Sequence, residues 1–100
     1  MDFLEQCYRK DESVVSRKIA DEVILVPIRK NVGDLESIYT LDEVGARIWE
    51  LIDGIRNLAD IKEILLSEFD VAEERLISDM ENFIRQIESI GGIKAILDSK

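Results

Sequence analysis

The side chains that could carry chemistry in this 100-residue chain are almost all carboxylates, with 22 Asp and Glu residues beside one cysteine and no histidine. Without histidine, the chain lacks the usual general base at neutral pH and the commonest zinc ligand. Neighbouring pairs such as Glu73 with Glu74, and Asp79 with Glu81, fall on the polar side of an amphipathic pattern, which is typical of a solvated helix face. The sequence therefore predicts that the protein is not an enzyme and holds no cofactor or metal.

The lone thiol, Cys7, has no histidine to activate it and no second cysteine with which to form a disulfide. A free thiol fits a reducing compartment, so we expect a cytoplasmic protein. No apolar run approaches the roughly 18 residues that cross a bilayer. The N-terminus, with Asp2 and Glu5, also lacks the basic-then-apolar pattern of a signal peptide. These features predict a protein that is neither inserted into a membrane nor exported.

The net charge of the chain argues against two classes of binding partner. The 13 Lys and Arg residues against 22 Asp and Glu residues give a net charge of −9. Counterion release from phosphates cannot drive binding to a surface of that sign. We therefore expect neither nucleic acid nor an anionic membrane as a partner.

Three strands are predicted in the first 40 residues. Alternating apolar and polar side chains at 14–19 and a β-branched run at 23–26 indicate two of them. A turn rich in Asn, Gly and Asp at 30–34 leads into a third strand at about 35–40. Residues 1–13 show helical spacing without a cap, and we treat them as an arm of uncertain order.

Helical periodicity begins after the third strand. Thr40 and Glu43 have the spacing of a capping box, so the first helix is expected from about Leu41. Trp49 brings the largest apolar surface of the chain to this helix. Gly54 is suited to the left-handed residue that follows a helix, and it is the expected end.

Two more helices follow. Asn57 is the expected N-cap of the second helix. Asp70 or a neighbour is expected to cap the third, at about 72–90, which Gly91 and Gly92 end.

Three strands before three helices indicate an α+β domain, with an N-terminal three-stranded antiparallel sheet followed by a three-helix bundle. The order also resembles a winged helix-turn-helix. We expect one domain at 14–93, preceded by the arm at 1–13. A short tail at 94–100 either adds a final strand or frays.

Two surfaces are predicted to lack a partner. The third strand is the last of the meander, so it is an edge with unpaired backbone groups, and it carries no Pro or Lys to protect it. Apolar residues of the third helix cover an arc of about 140°, which leaves Ile77 and Ile84 together on one flank. An edge beside an apolar helix flank can accept an extended peptide as an added strand. The alternatives are that the strands cover this flank, or that the arm or a second copy covers the edge.

A family resemblance lies at residues 39–54, which read YTLDEVGARIWELIDG. They resemble the signature of PqqD-like proteins, in which a leucine and a polar residue lead into a Gly-containing helix that ends in Ile-Trp-x-Leu and then Asp-Gly. Residues 58–61 and 79–84 resemble the family's second and third helices, so the resemblance covers about 15–93. The chain departs from many relatives at Asp42, where they carry Asn.

The resemblance implies a non-catalytic peptide chaperone, a recognition element for ribosomally made precursor peptides. Such a protein binds the leader segment of the precursor as an extra strand on its third strand, in the groove against the third helix. It presents the peptide to a modifying enzyme, often a radical S-adenosylmethionine protein, as in pyrroloquinoline quinone (PQQ) biosynthesis. The charge of −9 fits a basic or neutral leader better than an acidic one.

The positions that the resemblance makes peptide-facing lie on the third strand and on the third helix. The strand contributes Glu36, Ser37, Ile38, Tyr39 and Thr40. The helix contributes Ile77, Met80 and Ile84, with Arg85 at the rim.

The sequence is also compatible with two other functions. A winged-helix DNA-binding protein would use the third helix as its reader, but this helix carries acidic residues where phosphates must approach. A self-associating regulatory protein would pair the same edge strand with its own copy in a homodimer.

Overall fold

The computed structural model describes residues 3–28 and 39–96, which form an α+β fold with three helices and two antiparallel sheets. The three-stranded sheet contains β2 (Val14–Ile19), β3 (Glu22–Pro27) and β4 (Tyr39–Leu41), in the order β2-β3-β4. The helices are α1 (Glu43–Leu51), α2 (Leu58–Glu68) and α3 (Glu73–Ser89). The expected α+β class, with a three-stranded antiparallel sheet followed by three helices, is confirmed. None of the helices in the described ranges is long and apolar enough to cross a bilayer.

The register of the sheet decides which side chains reach the core. Leu25 of β3 pairs with Tyr39 of β4, and Val23 pairs with Leu41. Because alternate residues of a strand point to one face, these four side chains share the face that the helices cover. Leu25 is fully buried there. The predicted third strand is found at Tyr39–Leu41, and its expected first part, 35–38, lies outside the described residues.

The start of α1 differs from the expectation. The N-cap is Asp42, whose side chain accepts a hydrogen bond from the backbone N–H of Gly45 at 2.7 Å, and Thr40 lies within β4 instead. The predicted cap at Thr40 is therefore wrong, because that residue is held in the sheet by its pairing with Ile24. At the other end of α1, Gly54 has a φ of 82°, as its type predicts.

For the N-caps of the other two helices, one prediction is confirmed and one is wrong. Asn57 caps α2 in a full capping box with Asp60, which confirms the prediction. At the start of α3 the N-cap is Ala72, without a side-chain bond, so the preference for Asp70 is wrong. Gly91 has a φ of 77° directly after α3, in agreement with a glycine stop.

The N-terminal segment is ordered by pairing with the C-terminal one. After a 3-10 turn at Phe3–Glu5, β1 (Tyr8–Lys10) pairs with β5 (Ile93–Ala95) in a second, two-stranded sheet. Asp11 extends this attachment, since its backbone N–H donates to the carbonyl of Gly92 at 2.9 Å. The described part of the predicted arm is thus a strand packed on the domain, and the start of the predicted tail is its partner.

The core lies between the sheet and the three helices. Its fully buried side chains come from every layer and include Leu25, Ile48, Ile52, Leu58, Ile61, Leu65, Leu76, Met80, Ile84 and Ile87. Within α2 and α3 they recur every three or four residues, as the buried face of a helix requires. Burial of this apolar surface fixes α3 against α1 and α2, and so fixes the surroundings of β4.

Candidate functional site

The edge of β4 is the first component of the site. Within the described residues, β4 pairs with β3 on one side, and its other side has no strand partner. Alternate residues of a strand direct their N–H and C=O groups to opposite sides, so part of the β4 backbone faces outward. The described part of the N-terminal segment adds no strand to this edge, because β1 pairs with β5 in the other sheet.

A groove of about 400 Å³ runs between β4, the start of α1 and α3. The strand and α1 contribute Thr40, Leu41, Asp42, Val44, Gly45 and Ile48. The residues from α3 form one helix face, within an arc of about 100°: Arg75, Asp79, Asn82, Phe83 and Gln86. This α3 face is hereafter the groove face.

The groove has an apolar floor and a polar rim. Leu41 and Ile48 are buried, and Phe83 keeps 8% of its surface exposed. The rim from α3 is exposed and polar, with Arg75 and Asp79 as its charged members. Such a combination suits an extended peptide, whose apolar side chains can enter the floor while its polar side chains meet the rim.

Gly45 allows α1 to approach α3 closely at the floor. A Cβ atom at this position would lie 3.2 Å from Oδ1 of Asp42 and 3.4 Å from Cε1 of Phe83. The first contact is tighter than ordinary van der Waals packing, and the second is at its lower limit. The glycine in the family-like signature therefore serves the shape of the floor, and Asp42 serves as the helix cap beside it.

Ion pairs hold the helices that form the walls. The guanidinium of Arg47 on α1 donates two hydrogen bonds of 2.8 Å to the carboxylate of Glu68 at the end of α2. This fork raises the pKa of Arg47 and lowers the pKa of Glu68. On the other side of α2, Lys62 donates to Glu73 at the start of α3, and this hydrogen bond raises the pKa of Lys62.

The predicted strand residues are only partly within the described chain. Glu36, Ser37 and Ile38 lie outside the described residues. Tyr39 is half-buried on the core side of β4, and Thr40 is exposed at the groove.

The predicted helix residues do not form the groove wall. Met80 and Ile84 are 0% and 1% exposed, so they have no side-chain surface to offer a peptide in this fold. Ile77 is half-buried and Arg85 is exposed. At 100° per residue, Ile77 and Ile84 lie about 160° to 180° around the axis from the middle of the groove face, and Arg85 lies about 100° from it. This groove therefore lies on a different face of α3 from the flank of Ile77 and Ile84, for which contact with a peptide stays a prediction.

Met80 and Ile84 are buried because the core packs against their side of α3. The interior of the domain covers the arc that contains Met80, Ile84 and Ile87, so the open side lies along the more polar neighbouring arc. Five groove residues were not predicted from the sequence: Arg75, Asp79, Asn82, Phe83 and Gln86. Their position on one helix face can be read from the sequence, but nothing there separates a polar residue at a groove from one on a solvated face.

Comparison with known proteins agrees with this architecture. Residues 22–93 match the family model described as Coenzyme PQQ synthesis protein D (PqqD). The chain belongs to the PqqD family. The match spans β3, β4 and all three helices, and it confirms the resemblance seen in the signature at 39–54. No curated protein matches the sequence at a significant level.

A solved structure is similar over nearly the whole chain. It is TbiB1 in complex with the TbiA(beta) leader peptide, at a TM-score of 0.71 and 26% sequence identity. The alignment covers 90% of this chain and 99% of that one. This PqqD-family chain therefore shares its fold with a protein that has been seen holding a leader peptide.

Proposed function

We propose that this PqqD-family protein binds the leader segment of a ribosomally made precursor peptide as an added strand on β4 and presents it to a modifying enzyme. The observation that carries the proposal is the edge of β4, which has no strand partner among the described residues, beside the groove face of α3. The complex of TbiB1 with a leader peptide supports it, because that protein has the same fold at 26% identity.

Strand addition uses both parts of the site. Main-chain hydrogen bonds to β4 give affinity for any extended segment, and the groove selects side chains. On this view Tyr39 and Thr40, continued by Glu36, Ser37 and Ile38, supply the pairing edge. Arg75, Asp79 and Phe83 of the groove face meet alternate side chains of the peptide. Ile77 and Arg85 contact the peptide only where it extends beyond the groove.

Charge favours a particular class of leader. The groove is lined by one basic residue, Arg75, and two acidic ones, Asp42 and Asp79. The net charge of the whole chain is −9. A basic leader is therefore attracted during encounter and a neutral one is tolerated, whereas a strongly acidic one is repelled.

The remaining parts of the proposal follow from the family. The protein acts as a non-catalytic chaperone in the cytoplasm, and the enzyme that it serves is a radical S-adenosylmethionine protein in the production of PQQ or a related modified peptide. Its three-stranded sheet and helix bundle support a winged helix-turn-helix-like arrangement, used here for a peptide. A DNA-binding use is disfavoured by Glu73, Glu74, Asp79 and Glu81 on α3.

A titration tests the proposal directly. Isotope-labelled protein is mixed with the leader of the precursor encoded beside it, and backbone amide signals are followed. We expect the largest changes on β4, at the start of α1 and along the groove face. Unchanged signals in these three segments at saturating peptide would refute leader binding at this site.

Two arginines on α3 provide a matched pair of variants. Arg75 lines the groove and Arg85 lies on another face, and both are exposed. We expect Arg75→Glu to change leader affinity by at least about threefold and Arg85→Glu to change it by less, because only the first charge faces the peptide. Equal effects of the two variants would contradict the groove face as the peptide wall.

A further inference from the structure

A second cleft, of about 900 Å³, lies on the other side of the C-terminal end of β4. It opens between the turn of the β2–β3 hairpin, the exposed side of α1 and the end of α2. Thr40, Leu41 and Asp42 line both this cleft and the leader groove. The two cavities therefore meet at the end of β4.

The floor of the second cleft is apolar. Val23 and Leu41, which pair across β3 and β4, form its base, and Ala46 and Phe69 form its helical wall. Val23, Ala46 and Phe69 are only half-buried, so they keep apolar surface open to solvent. An occupant with apolar side chains would remove that surface from water.

The rim of the second cleft is acidic. Asp21, Glu22, Glu43 and Glu50 are exposed around it, against the cations of Lys18 and Arg47. Arg47 is already paired with Glu68 at 2.8 Å and with Glu50 at 3.0 Å, so its charge is largely offset. Within the described chain, Asp21, Glu22 and Glu43 take part in no ion pair. The cleft thus presents a negative rim over an apolar floor.

We propose that this acid-rimmed cleft binds a basic segment of the modifying enzyme, anchored by one or two apolar side chains. The inference rests on the proposed function, and it names the surface that the enzyme uses. Charge complementarity selects a basic occupant, and the apolar floor supplies the anchor site. Because Thr40–Asp42 line both cavities, an enzyme bound in the cleft lies next to a leader bound on β4. The leader can then pass directly from this protein to the enzyme.

The other occupants fit less well. A second copy of this chain carries the same net charge of −9 and is repelled by an acidic rim. The leader itself pairs along β4 on the side of α3, so it does not need the hairpin side. Pro27, the last residue of β3, and Tyr39, the first described residue of β4, lie at the opposite end of the strands from this cleft.

Paired charge reversals test the inference. The cleft variant is Glu22→Lys with Glu50→Lys, one residue from the hairpin and one from a helix. The control is Glu12→Lys with Glu63→Lys, which makes the same charge change away from both the groove and the second cleft. The pairs are matched in a further respect, because Glu50 lies 3.0 Å from Arg47 and Glu63 lies 3.4 Å from Lys62. Circular dichroism melts establish that both variants fold.

Calorimetry measures binding of each protein to two probes, the modifying enzyme encoded beside the precursor and the leader peptide alone. We expect the cleft variant to lose about tenfold or more in affinity for the enzyme, with a weaker salt dependence, whereas the control stays within about twofold. Leader affinity is expected to stay within about twofold in both variants.

The outcomes separate the two proposals. If the unaltered protein does not bind the leader, the proposed function fails. If it binds the leader but the cleft variant keeps full affinity for the enzyme, or the control loses as much, the inference about the cleft is overturned alone. A loss of leader affinity confined to the cleft variant also overturns it, since the cleft would then belong to the leader site.

Discussion

Replacing Trp49 by alanine tests how far the fold depends on one side chain of the signature. Trp49 lies on α1 and is 5% exposed. An aromatic side chain of this kind buries on the order of 200 Å², which at about 25 cal/mol per Å² amounts to about 5 kcal/mol of transfer free energy. The alanine methyl group recovers a part, so we expect a loss of about 4 kcal/mol in the free energy of unfolding.

That loss is large beside the stability of a small domain, which is typically about 5 to 15 kcal/mol. Urea unfolding followed by far-ultraviolet circular dichroism is the suitable assay, because Trp49 is the only tryptophan and its fluorescence is lost in the variant. A loss below about 1.5 kcal/mol at an unchanged m-value would refute the view that this ring anchors α1 in the core.

A second variant tests the contribution of the Lys10 charge separately from the burial of the Trp49 ring. The ammonium group of Lys10 lies 5.1 Å from the centre of the Trp49 ring, and β1 holds it there. Lys10→Met removes this cation–π contact and the attraction of the Lys10 charge to the exposed carboxylates of Glu50 and Asp53, so we expect a loss of about 0.5 to 1 kcal/mol. If Lys10→Met cost as much as Trp49→Ala, attachment of β1 would be the dominant contribution of this region.

Two further predictions concern the C-terminal end of α3 and the segment attached to it. Gly92→Ala places a Cβ atom 2.7 Å from Cγ2 of the fully buried Ile87, so we expect a loss of about 1 to 3 kcal/mol in unfolding free energy, and an unchanged urea midpoint would contradict that packing. Hydrogen bonds from Ser13 and Lys94 lower the pKa of Asp11 from 3.8 to about 2. The resulting stabilisation is complete above pH 3.8 and is lost as the pH falls toward 2, so the unfolding free energies of the unaltered protein and Asp11→Asn should converge over that range. A constant difference between pH 6 and pH 2.5 would disprove the linkage.

If both proposals hold, the protein acts as an adaptor with two neighbouring cavities. The leader lies in the groove at α3, and the enzyme docks at the cleft by the hairpin. Thr40, Leu41 and Asp42 belong to both, so β4 is the shared element. The distance over which the leader must be transferred is then short.

The amino-acid sequence by itself determined much of the local structure. The helical stripes around Ile48, Leu65 and Ile87 are buried as their spacing indicates, because an apolar face of a helix has to pack against another element. Asn57 and Gly54 took their expected places, since a cap and a left-handed residue are local properties of the chain. The signature at 39–54 identified the family for the same reason, as it combines several such local requirements.

Only the tertiary structure decided which surfaces stay open. Met80 and Ile84 have the same apolar character as any groove residue, yet the approach of the other elements buries them and leaves Arg75 and Asp79 at the groove. Likewise, β1 became a strand only because β5 offers it a partner more than 80 residues away. Periodicity reports which face of an element is apolar. How far neighbouring elements cover that face depends on their packing angles and long-range pairings, which no single segment encodes.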